Sequence, residues 1–212
     1  MATRADFRPA THTLESPLER NMELQHVNVK LYLRDPQAVK LEALVPVFHA
    51  WIQSKVCEEL MIDVADYRHV HAGPGVVLVG HQADYSVDNT DNRLGIRYNR
   101  KATLEGSNRD RFSQALRAAL QACQRLETDA KLNGSLRFNR QDMKLFVNDR
   151  MLAPNTAHLT DSVQGELRDF FGSAFGDSEF EMKFDGNPRS LFGVEVKASK
   201  PLELDEVLAR LS

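Results

Sequence analysis

The chain has 212 residues, 42% of them hydrophobic and 27% charged. That is ordinary globular composition, and the length allows a core that needs no metal or disulfide staple. A net charge of −3 argues against a general nucleic-acid binder, and Cys57 and Cys123, with no CxxC spacing, argue against a thiolate zinc site.

Met1 to Asn21 is polar, lacks periodicity and lacks the apolar centre of a secretory signal. It reads as a disordered N-terminal tail ahead of the patterned protein, which starts near Met22. Val27, Val29, Leu31 and Leu33 alternate with polar neighbours, the period of a half-buried strand. Asp35-Pro36 is a helix-start pair. A helix is expected over Leu41 to Ile52, where Pro46 must kink it or open its main segment.

Leu60 to Asp66 is a short, nearly continuous apolar run, expected as a strand covered on both faces. Gly73-Pro74-Gly75 is a turn before a second apolar strand, Val76 to Val79. Tyr85 to Asp88 and Leu94 to Tyr98 flank Asn89-Thr90-Asp91-Asn92 as a hairpin. Ser107 and Asp110 form a capping box, with Asp where Glu is usual, ahead of an amphipathic stripe from Phe112 to Leu126.

In the second half, Leu136 to Phe138 and Met143 to Val147 are expected as two strands. Thr160 is the expected cap of a helix with Val163, Leu167, Phe170, Phe171 and Ala174 on its apolar face, and Gly176 its stop. Phe180 to Phe184 and Leu191 to Lys197 flank the turn Asp185-Gly186-Asn187-Pro188, and a closing helix spans Leu202 to Leu211.

The two halves echo each other. Tyr85 to Asp88 followed by Arg93 to Tyr98 matches Met182 to Asp185 followed by Leu191 to Val196, each pair leading into a helix. The expected fold is α+β, a mostly antiparallel sheet with helices packed on one face, compatible with two tandem ferredoxin-like units. The division would be a tail over 1–21, a first α+β unit over 22–132 and a second over 133–212, with the cleft between the units as the ligand site.

The densest polar cluster is Asp63, Asp66, Tyr67, His69, His71, His81, Asp84 and Asp88. A carboxylate at Asp63 within an apolar strand needs compensation, and His69 and His71, two apart, share a side on extended backbone. Asp63, His69 and His71 are therefore a candidate divalent-metal set, and Asp66 with His69 a metal-free acid–base pair. If the two apolar strands form a hairpin, His81 lies nearer Leu60 than His69, so the three histidines do not converge. His49, Trp51 and Gln53 on the first helix, with Tyr67 and Arg97, are candidate ligand contacts, although a core role for Trp51 is the commoner one. The Arg93–Arg125 stretch is locally basic; a solvated helix face beside acidic neighbours is the commoner outcome for it, and RNA an unlikely partner.

No GxSxG, HExxH, Walker-type or dinucleotide fingerprint is present. The expectation is a cytoplasmic, non-catalytic module that binds a small molecule or a protein, with no membrane partner. An enzyme centred on Asp63 to His71 is the alternative, and strand edges make a homodimer conceivable.

Overall fold

A computed structural model describes residues 22–212. The expectation for Met1 to Asn21 lies outside these residues. The elements in chain order are β1 (Val27–Leu33), α1 (Leu44–Ser54), β2 (Met61–Tyr67), β3 (Gly75–Gly80), β4 (Ala83–Asp88), β5 (Gly95–Arg100), α2 (Asn108–Thr128), β6 (Phe138–Val147), α3 (Ala157–Phe175), β7 (Phe180–Phe184), β8 (Gly193–Ala198) and α4 (Leu204–Arg210). All eight strands form one antiparallel sheet in the order β2-β3-β4-β5-β1-β6-β8-β7. The fold is the α+β arrangement that the periodicities indicate.

The period of two separates the faces. Val29, Leu31, Val87, Ile96, Leu145, Val194 and Val196 point into one apolar core, together with the inner stripes of the helices. Phe112 of α2 meets Phe170 of α3, and Phe171 and Phe175 of α3 meet Phe180 of β7, so these helices share one side of the sheet. Burying each such aromatic is worth roughly 1.5–3 kcal/mol. The other face carries Asn28, Lys30, Tyr32, Ser86, Arg97, Lys144 and Glu195, the alternate residues of the central strands.

Local signals explain most boundaries. The Ser107 side chain accepts from the Asp110 backbone N–H while Asp110 accepts from the Ser107 N–H, a complete capping box. Pro46 sits in the first turn of α1, where its missing donor costs nothing. Gly176 ends α3 with φ 61°.

Three expectations are corrected. Helix α3 starts earlier, capped by Thr156, whose hydroxyl accepts from the Leu159 N–H; Thr160 lies inside the helix. Leu136 to Phe138 is not a separate strand: Leu136 and Arg137 lie outside any strand, and Phe138 opens β6, which runs on through Met143 to Val147. There Leu33 pairs with Phe138 but Leu31 with Met143, so β6 bulges over its polar stretch between Phe138 and Met143. Strand β2 is an edge strand rather than one covered on both faces, with Leu60, Ile62 and Tyr67 exposed. An apolar run alone cannot tell a sheet centre from an edge. The tandem ferredoxin-like expectation is not confirmed: each half runs strand, helix, strands, helix, without the last strand of that unit within its own range.

The echo between halves nevertheless has a structural counterpart. The order β4-β5-β1 continues as β6-β8-β7, symmetric about the β1–β6 seam. Lys30 lies opposite Lys144 at this seam. Tyr32 faces Gly95, and Phe146, in the equivalent place on β6, faces Gly193. The β4–β5 and β7–β8 hairpin loops are thus equivalent, and Asp88 corresponds to Asp185. The boundary at 132/133 falls just before β6, and strands from both sides join in one sheet.

Candidate functional site

On the helix-free face, β5, β1 and β6 set Arg97, Lys30 and Lys144 side by side in register. Cations directly opposite one another across a ladder repel, so the row needs compensation. Asp88, at the end of β4, supplies part of it. Its side chain is fully buried and accepts from Lys30 Nζ, from the Thr90 backbone N–H at 3.1 Å, from Thr90 Oγ1 at 3.0 Å and from Arg97 Nη1 at 3.4 Å. Lys30 also donates to the Thr90 carbonyl at 3.1 Å, and Arg97 Nε to Asn28 Oδ1 at 3.2 Å. Lys30 is 4% exposed. Burial pulls its ammonium below the ordinary lysine pKa, and Asp88 opposes this only in part.

Around this row the β4–β5 loop contributes Thr90 and Asp91, and the β7–β8 loop contributes Asp185, Ser190 and Leu191. With Phe146 and Arg150 they enclose a cavity of about 390 Å³. Larger hollows of about 600 Å³ run along the β7 edge beside Phe180 and around Arg34 and Arg140. The second of these holds the Arg140–Glu127 pair, of which only Glu127 is buried, whereas in the central cleft both Lys30 and Asp88 are buried, so that cleft is the stronger candidate. Beside it, Tyr32 donates to Glu195 at 2.8 Å under the Arg93 guanidinium, 3.4 Å from its ring centroid. Burial first, and then Glu195, push the Tyr32 phenol well up.

Of the residues singled out from the sequence, Arg97 and, from the polar cluster, Asp88 line this cleft. Asp63 is exposed and accepts from its own neighbour's N–H, Val64, at 2.7 Å. The premise of a buried carboxylate in need of compensation is therefore wrong: at a sheet edge, water solvates it. His69 and His71 are exposed in the loop after β2. Among the described residues no group of three or more His, Cys, Asp or Glu side chains is placed to hold a metal. Asp66 is exposed and clasped by Arg68, with contacts of 2.7–3.0 Å. Hydrogen bonds from Arg68 lower its carboxyl to about 2, a value unsuited to proton transfer at neutral pH. Tyr67 is exposed beside His69. Trp51 is buried against Phe48 and Tyr85, whereas His49 and Gln53 lie on the exposed side of α1. The structure thus separates Trp51 from His49 and Gln53.

The basic stretch is largely consumed by the fold. Arg93 reaches Glu195, Lys101 reaches Asp84, Arg111 reaches Glu23, and Arg117 and Arg125 donate to the Leu211 and Val56 carbonyls.

A second polar cluster lies on the core side. Glu59 accepts from Tyr98 at 2.7 Å and from Tyr85 at 3.0 Å, and Gln114 donates to Tyr98 at 2.7 Å. Its donors and acceptors satisfy one another, which marks it as structural. Nearby Cys57 is pushed up to about 12 by burial and Glu59, and Cys123 is fully buried. Both are unreactive as nucleophiles at neutral pH.

Sequence reading placed Asp88 in its polar cluster but missed Lys30 and Lys144, and so missed this site. The available signal was Lys30 within Val27 to Leu33 and Lys144 within Met143 to Val147, each read as the solvent side of a strand. No membrane-crossing helix, long and apolar enough, exists among the described residues. No protein-family model matches this chain, and no curated protein matches it.

Proposed function

We propose that this protein is a non-catalytic module that binds a small molecule in the cleft between the two halves, over the Arg97–Lys30–Lys144 row. One observation carries this reading: equivalent hairpin loops of the two halves flank a cavity of about 390 Å³ into which charged side chains from three central strands converge. Ligands commonly sit in such hollows, where a few polar groups fix their orientation.

A thermal-shift screen of metabolites tests it. A ligand present at 100 times its Kd adds about 2.7 kcal/mol, hence a rise of roughly 5–11 °C for a chain of this size. Ser190→Trp, which places an indole in the cleft, is expected to abolish the rise. Retention of the full shift in that variant would move the site elsewhere, and no shift from any metabolite would refute the reading.

A second copy of the chain is the partner favoured by the edge of β2, where Leu60, Ile62, Tyr67 and Val70 are 43–64% exposed. Sedimentation of the wild type should then show a dimer that Ile62→Lys converts to monomer; a monomeric wild type removes this partner.

A further inference from the structure

We propose that the cleft selects an oxyanion head group, phosphate or carboxylate, attached to an apolar body; the proposal rests on reading the cleft as a small-ligand site. The charge inventory points there. Lys30, Arg97, Lys144 and Arg150 face three acids, Asp88, Asp91 and Asp185. Asp88 is saturated by Lys30, Arg97 and Thr90. Asp185 is turned to its own loop, accepting from the Asn187 N–H at 2.9 Å. The Asp91 side chain is 68% exposed and, among the described residues, reaches only Lys144, at 3.4 Å.

The cations, by contrast, keep donors in hand. Among the described residues, Lys144 has its nearest carboxylates, Asp91 and Glu195, at 3.4 and 3.9 Å. A guanidinium carries five N–H groups, and Arg97 engages Nε and Nη1 alone among the described residues. Adjacent strands lie about 4.7–4.9 Å apart, so the row spans roughly 10 Å and one oxyanion can be contacted by neighbouring members. Such an anion offsets the like-charge repulsion that Asp88 leaves uncompensated. The platform is apolar: the Arg97 guanidinium carbon lies 4.9 Å and Lys144 Nζ 5.9 Å from the Phe146 ring centroid. Leu191 adds a second apolar wall, which is where the body of the ligand would lie.

Isothermal titration of the full chain with phenyl phosphate, phenylacetate, inorganic phosphate and benzyl alcohol tests this. Phenyl phosphate, phenylacetate or both are expected to bind, with inorganic phosphate weaker and benzyl alcohol silent; the ratio of the first two separates a phosphate from a carboxylate head. Affinity should fall as salt rises. Lys144→Gln should weaken binding about tenfold to a hundredfold, the loss typical of a hydrogen bond to a charged group. Lys144 is 22% exposed on its side chain, so that variant is expected to stay folded. Leu191→Asn should weaken phenyl phosphate and leave inorganic phosphate unchanged.

Benzyl alcohol binding as well as the anions, or anion binding indifferent to Lys144→Gln, overturns the proposal. So does silence from every probe. In each case a Ser190→Trp-sensitive neutral or cationic hit in the metabolite screen leaves the small-ligand reading standing, and no such hit removes both.

Discussion

Replacing Asp88 with Ala strips a buried cation of its counter-charge. Lys30 stays 4% exposed, with the Thr90 carbonyl as its remaining acceptor, and the Thr90 N–H and hydroxyl lose their acceptor too. Removing one partner of a buried pair costs about 3–5 kcal/mol, because the surviving charge cannot be hydrated. For a chain of 150–250 residues this corresponds to a fall in Tm of roughly 6–20 °C. Removing both charges reverses the logic. Lys30→Met with Asp88→Leu replaces a desolvated pair by packed apolar groups, and such exchanges are neutral or stabilising by about 1–4 kcal/mol. Arg97, whose side chain is 21% exposed, can turn toward water when Asp88 goes. Urea denaturation followed by circular dichroism on Lys30→Met, Asp88→Leu and their double variant completes the cycle, with Asp88→Ala measured beside them. The double variant is expected to be far more stable than the Asp88→Ala single. Additive losses, or an Asp88→Ala cost below about 1 kcal/mol, would refute the claim that burial rather than contact governs this pair.

Three further outcomes are expected. Ser107→Ala removes the α2 cap and should cost about 1 kcal/mol, seen as a lower urea midpoint with an unchanged slope. The Asp110 carboxyl is held below its ordinary 3.8 by hydrogen bonds from Ser107. Its contribution is therefore present above pH 3.8 and lost as pH falls below that, so stability curves of wild type and Asp110→Ala should converge in acid. Both thiols should resist Ellman's reagent in the native protein at pH 8, with Cys57 pushed up to about 12 and Cys123 buried, and react promptly in urea.

Much of the architecture is local and therefore legible in the chain. Alternation over Val27 to Leu33, the Ser107–Asp110 box, the polar turns after Asp88 and Asp185 and the stop at Gly176 all act within a few residues. The repeated pattern of Tyr85 to Tyr98 and Met182 to Val196 even anticipated the symmetry about β1 and β6. What it could not contain was strand order. Leu60 to Asp66 looks like an interior strand until the sheet places it at an edge, and Asp63 looks costly until that edge opens it to water. Lys30 and Lys144 are 114 positions apart; each reads as the wet side of its own strand. Only pairing of β1 with β6 sets them opposite each other, and only folding of the Asp88–Thr90 segment over them takes Lys30 out of water. Burial and long-range register create the charge conflict that defines the cleft, and neither is a property of any short stretch of chain.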